Sequence, residues 1–143
     1  MTPTALLISL AGLSHRDASE FLNIRLDTVQ SYFRHRRPAD ARDGVKAELK
    51  KLIARQERAA AEALDLIEQQ TAGRPGALDV EIGYPADDHE AQALGFPCVG
   101  AWQAMAARVV ARSPVPIRLV PRGSTVATAA AADVYEQRGR HDL

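Results

Sequence analysis

Three groups of side chains in this chain are of types that do chemistry. The first lies between Arg25 and Lys51, where eight Lys/Arg stand against four Asp/Glu although the 143-residue chain has no net charge. From Gly76 to Leu143 the balance reverses, with six Lys/Arg against eight Asp/Glu. A local cluster of cations on a neutral chain suits a polyanionic partner, which it would attract and clamp. The second group is Asp87-Asp88-His89-Glu90, four metal-ligating residue types in a row. Ligands must converge on one ion, and adjacent residues point apart on a helix or a strand. The run therefore reads as the polar first turn of a helix. The third group is Cys98 with Trp102 and Met105. No His–carboxylate arrangement accompanies the thiol, so Cys98 reads as a small buried hydrophobe. Trp102 and Met105, at helical spacing, read as core. No Gly-rich phosphate loop is present. The expectation is a chain that is not an enzyme and that needs no metal and no cofactor.

The elements that would position the cationic cluster are legible from Leu13 to Pro38, LSHRDASEFLNIRLDTVQSYFRHRRP. Ser14 is a good N-cap, and Asp17 three residues on makes an Asp variant of the capping box. The helix they start should close near Leu22, where Asn23 tolerates the left-handed backbone a tight turn requires. A second helix is expected over roughly Leu26 to Arg34, stopped by Arg36-Arg37-Pro38. Ala18, Ser19, Leu22, Ile24, Val29 and Tyr32 fall on facing sides of the pair. Ser19 is small where two steeply crossing backbones must approach. Two helices joined by a three- to four-residue turn form the unit that lays a recognition helix in the DNA major groove. Before them, Leu6, Leu7, Ile8 and Leu10 make a short packed helix from Pro3 to Ala11, with Gly12 as its C′ residue.

This stretch resembles the helix-turn-helix of the Cro and phage-repressor class of transcriptional regulators. Ser14 and His15 stand at that pattern's Ser-Gln positions and Ser19 at its small-residue position. Leu22-Asn23-Ile24 matches Leu-Gly-Val, Thr28-Val29 matches Thr-Val, and Tyr32 takes the tryptophan place. His35-Arg36-Arg37-Pro38 follows its closing loop, and the register holds without a gap. Two positions depart from the pattern: Arg25 replaces the usual Ser/Thr cap, partly offset by Asp27 in the first turn, and His35 replaces the loop glycine. By position, the resemblance implies that His15 lies near a phosphate. Leu26, Asp27, Gln30 and Ser31 would project into the groove. There Gln30 can pair bidentately with adenine and Asp27 can accept from cytosine N4. Leu26 or Thr28 would touch a thymine methyl. Arg25, Arg34, Arg36 and Arg37 would clamp phosphates, with Arg34 also one turn from Gln30 and within reach of a guanine.

Beyond Pro38 the chain reads as one long amphipathic helix, Ala41 to Gln70, with Val45, Leu49, Leu52, Ile53, Gln56, Ala60, Ala63, Leu64 and Ile67 as its apolar-face positions. Thirty residues span about 45 Å. A break near Gln56 into two helices is the alternative. Thr71 to Ala77 is the clearest boundary. After it Leu78, Val80, Ile82 and Tyr84 alternate with polar residues as a strand. Asp87 caps a helical turn to Leu94, and Val99 to Arg112 forms a helix. Val115, Ile117 and Leu119 make a second strand, and Ala127 to Gln137 a last short helix. Two such strands do not make a stable sheet alone, so pairing with a second copy is expected, through Val80, Ile82, Trp102, Val109, Ile117 and Leu119. The layout is also similar to anti-CRISPR-associated autorepressors, in which a helix-turn-helix unit is joined to a dimerising module with a tryptophan-bearing helix; Trp102 carries that likeness.

The expected architecture is mainly α with a small α+β part. Residues 1–72 would form a helix-turn-helix DNA-binding domain with its long helix, and residues 78–138 a strand-helix-strand dimerisation module. The expected function is a homodimeric transcriptional repressor that binds an inverted repeat in double-stranded DNA. The alternative is an antitoxin or adaptor whose C-terminal module binds a protein partner. RNA binding by the same basic surface is possible but not indicated. No apolar run reaches membrane-spanning length, the apolar start lacks a signal peptide's positive flank, and a single cysteine excludes an internal disulfide. These features make a cytoplasmic protein the expectation.

Overall fold

The computed structural model describes residues 1–72 and 79–122. Helix α1 (Pro3–Leu10) starts at Thr2, whose hydroxyl accepts from the N–H of Ala5 at 3.2 Å and donates to the carbonyl of Tyr32 at 3.1 Å. Its end is a Schellman motif. Gly12, at φ +76°, donates to Ser9, and Leu13 donates to Ile8, both at 3.1 Å. Ala5 and Ile8 are buried and Leu7 packs beside them, whereas Leu6 and Leu10 face outward.

Helix α2 (His15–Leu22) and helix α3 (Leu26–Tyr32) follow. The second ends two residues short of the expected Arg34. Helix α4 (Asp43–Thr71) is continuous over 29 residues, without a break at Gln56. Strand β1 (Val80–Tyr84), helix α5 (Asp88–Ala93), helix α6 (Val99–Arg112) and strand β2 (Ile117–Pro121) complete the described chain. The protein is thus mainly helical with one small parallel sheet. The expected helix over 127–137 and Leu78 lie outside the described residues, and no helix among those described is long and apolar enough to cross a membrane.

The larger core draws on every helix, from Ala5 and Ile8 of α1 through Ala18, Val29 and Leu49 to Trp102 and Ala106 of α6. Helix α4 forms its spine, because its buried positions Leu49, Leu52, Gln56, Ala60 and Ile67 recur every three, four or seven residues along one stripe. Glu57 ties α4 to α6, accepting from Arg108 Nε at 2.7 Å and from Arg112 at 3.1 Å. A smaller core of Ala60, Ile67 and Val109 lies under the sheet, where Val80, Ile82 and Ile117 cover it.

The strands pair in parallel, Val80 with Ile117, Ile82 with Leu119 and Tyr84 with Pro121. The helices α5 and α6 supply the crossover that a parallel pair needs. Glu81 and Arg118 pair on the outer face. The structure corrects two of the expected dimer contacts. Trp102 and Val109 are only 4% and 1% exposed, spent inside the protomer's own core against α4, and offer no surface to a second copy. Leu119, at 47% exposed, does.

Candidate nucleic-acid interface

The α2–turn–α3 unit is built by three local devices. At its start, Ser14 Oγ accepts from Asp17 N at 3.0 Å and Asp17 Oδ2 accepts from Ser14 N at 3.3 Å, a complete capping box. At its turn, Asn23 takes the left-handed conformation (φ 52°, ψ 49°). Asn23 N then donates to Glu20 and Ile24 N to Ser19, the same Schellman closure as at Gly12. Across the turn, Ser19 Oγ donates back to the Ile24 carbonyl at 2.6 Å. Ala18, Val29 and Tyr32 are buried between the helices and α1.

Helix α3 starts at Arg25 with no side-chain cap, as its sequence implies. Its Arg25 guanidinium instead meets Asp27 Oδ2 at 3.3 Å, both groups largely exposed. An ion pair so placed contributes about 0–1 kcal/mol, so either partner can exchange it for another. With Val29 and Tyr32 turned inward, the helical period puts Leu26, Asp27, Gln30 and Ser31 on the outward arc. Leu26, Asp27 and Gln30 are exposed; Thr28 and Ser31 are half-buried. Ser31 Oγ donates to the Thr28 carbonyl at 2.5 Å, which spends its hydrogen within the helix. That hydroxyl retains acceptor capacity only.

The loop after α3 is held from behind. Tyr32's carbonyl accepts from both the backbone and the hydroxyl of Thr2, at 2.9 and 3.1 Å. Asp40 accepts from Thr4 Oγ1 at 2.5 Å and pairs with Lys46 at 3.0 Å. The Thr4 hydroxyl first, and then Lys46, hold the Asp40 carboxyl well below the usual carboxylate range. Burial, with the Asp40 charge, pushes the Tyr32 phenol up. His15 stacks on Phe33, ring centroids 4.4 Å apart, which sets the start of α2 against the loop.

Between these anchors Arg34, His35, Arg36 and Arg37 are all exposed. Among the described residues the three arginines meet no carboxylate within ion-pairing distance. The loop's positive φ falls on Arg37 (φ 40°) and not on His35, the residue standing at the resembling pattern's glycine. Arg34 lies beyond the last turn of α3, so it is not stacked one helical turn from Gln30 as the longer helix would have made it.

The other chemical groups are used structurally. Asp87 caps α5 by accepting from Glu90 N at 2.9 Å, Glu90 accepts from Ala86 N at 2.8 Å, and Asp88 accepts from Val99 N at 2.9 Å. These carboxylates are spent on backbone donors. Among the described residues no cluster of His, Cys, Asp or Glu is arranged to hold a metal. Cys98 is buried, and that burial first of all pushes its thiol up from its ordinary value.

Two structural devices lack any clear sequence signal. Gln56 sits on the apolar stripe of α4 as if it were another hydrophobe, yet it is completely buried and donates to the carbonyls of Ala11 at 2.9 Å and Ala101 at 3.0 Å. Gly12 and Gly100 touch backbone to backbone, leaving no room for a Cβ on either. No protein-family model matches the chain, and no curated protein matches it significantly.

Proposed function

We propose that this protein is a sequence-specific DNA-binding transcriptional regulator, a homodimeric repressor that occupies an inverted repeat in a promoter. The observation that carries this reading is the outward arc of Leu26, Asp27 and Gln30, flanked by the unpaired cations Arg34, Arg36 and Arg37. Base-reading groups on a short, rigidly tethered helix supply discrimination, and arginines on a braced loop supply phosphate clamps. One such unit binds weakly and mostly through salt-sensitive contacts. Two copies spaced about 34 Å apart would enter successive major grooves. The sheet favours that pairing, since among the described residues neither of its two strands has a further strand beside it and Leu119 is exposed.

Selection of bound sites from random duplex DNA tests the proposal. A two-fold symmetric consensus is expected, and failure to enrich any sequence would overturn it. A chain that selects no DNA but captures a protein through the Leu119 edge would instead support the antitoxin or adaptor reading.

A further inference from the structure

Near the C-terminal end of α2, Phe21 forms one wall of a groove of about 540 Å³ that runs between α4 and the Gly95–Pro97 turn. That volume is within the range of small-molecule sites. Leu52 and Phe96 close its base with little surface open, and the half-buried Phe21 and Pro97 supply its apolar walls. Its rim is charged: Lys51 and Arg55 with Glu48.

The turn itself is shaped around Arg55. Helix α5 ends in a third Schellman closure, with Gly95 N donating to Gln92 and Phe96 N to Ala91. Gly95 is at φ +92°, and a Cβ there would come within 2.8 Å of an Arg55 terminal nitrogen. The guanidinium carbon lies 6.0 Å from the Phe96 ring centroid. Among the described residues no acceptor takes a hydrogen bond from the Arg55 side chain, so its N–H donors are unspent. Among the described residues, no carboxylate is within ion-pairing distance of Arg55. Lys51 does have Glu48, at 3.2 Å, in an exposed pair that exchanges at little cost.

Phe21, Gln92 and Pro97 also border a second, smaller cleft, of about 260 Å³, whose charged groups are Asp17, Glu20 and Asp88. These three residues therefore stand between an acidic cleft and a groove with a net positive rim, and an anion is directed to one side only.

We propose that the groove binds a small carboxylate with a flat apolar body. The body would lie against Phe21 and Pro97, both half-buried and open to the groove, and the carboxylate would take the N–H donors of Arg55 with Lys51 in support. Arginine suits that role because its fork matches a carboxylate bidentately. This proposal stands apart from the DNA reading, because it concerns the DNA-free chain.

The test is a titration of the full chain with benzoate, followed by backbone and aromatic NMR shifts, and the same titration with neutral benzamide. Shifts are expected at Phe21, Leu52, Arg55 and Phe96. Benzamide, and benzoate on an Arg55→Gln variant, should each bind roughly tenfold more weakly, the loss of one charge-assisted pair. Arg55 is exposed, so the variant should fold; if it does not, the benzoate–benzamide comparison on the native chain decides alone. Equal affinity for the two probes would overturn the proposal. So would shifts centred on the Arg34–Arg37 loop, or no shifts at millimolar benzoate.

Discussion

Ser19 and Ile24 are bonded to each other twice across the turn between α2 and α3. Ile24 N donates to the Ser19 carbonyl at 3.1 Å, and Ser19 Oγ donates to the Ile24 carbonyl at 2.6 Å. The reciprocal pair fixes the angle at which α3 leaves α2, with no contribution from the uncapped Arg25. Ser19→Ala keeps the small volume and removes one bond, and should cost about 1 kcal/mol in urea unfolding. Ser19→Leu, which overfills the crossing, should cost about 1–3 kcal/mol. Equal stability of the two variants would show that the crossing is looser than the geometry implies.

Gln56 should be intolerant of an isosteric hydrophobe. Its amide must face the two carbonyls with both hydrogens, since the oxygen would repel them. Gln56→Met fills the space but leaves both acceptors under-bonded, a loss of about 2 kcal/mol. Gln56→Glu is the sharper probe. A carboxylate cannot donate to either carbonyl, and only its protonated form can, so this variant should gain stability relative to native as pH falls. Denaturation midpoints across pH measure that slope, and a flat difference would contradict the assigned bonds.

The Asp40–Lys46 pair predicts a pH window. The folded Asp40 carboxyl titrates below its ordinary value, so its contribution is present above about pH 4 and fades as pH falls towards the folded value. Its bond to Asp40 raises Lys46, whose contribution is present below about pH 10 and fades above it. Asp40→Asn should therefore be less stable than native at neutral pH, with the gap in melting temperature closing in acid. A gap that widened in acid would reverse the sign and refute the assignment.

Under the proposed function, Gln30 and Arg36 should fail in different ways. Gln30→Ala should relax preference at one base position, worth about 1–3 kcal/mol against the wrong base. Arg36→Ala should weaken all sequences alike and lower the salt slope by about 1. Quantitative binding to the selected site and to single-base variants, at two salt concentrations, separates the two. Uniform loss for Gln30→Ala would remove it from base reading.

How much of this was legible beforehand follows from the range of the forces involved. The capping box at Ser14–Asp17 and the left-handed turn at Asn23 are local, and residue type alone announces them. The continuity of α4 follows from one stripe kept in phase from Val45 to Ile67. Helix ends are less legible: the carbonyl of Tyr32, the last residue of α3, is taken by Thr2, thirty positions away in sequence. The use of Trp102 and Val109 was misjudged for a similar reason. Amphipathicity marks a face for burial but does not say whether the same chain or another copy buries it. The Gln56 clasp, the Gly12–Gly100 contact and the approach of Arg55 to Phe96 join distant residues with no periodicity to betray them.

The clasp has a consequence for the order of events during synthesis. Gln56 stands midway between its two acceptors, 45 positions from each. The first three helices leave the ribosome long before Ala101 exists, and until then the Ala11 turn has neither Gly100 against it nor a second carbonyl to share Gln56. Contacts so far apart in sequence form late and slowly. The bonds that hold the Gln30 surface and the arginine loop lie within residues 2–46, so a nascent chain stalled before α6 would carry that surface formed, with the Ala11 turn behind it still lacking its final brace.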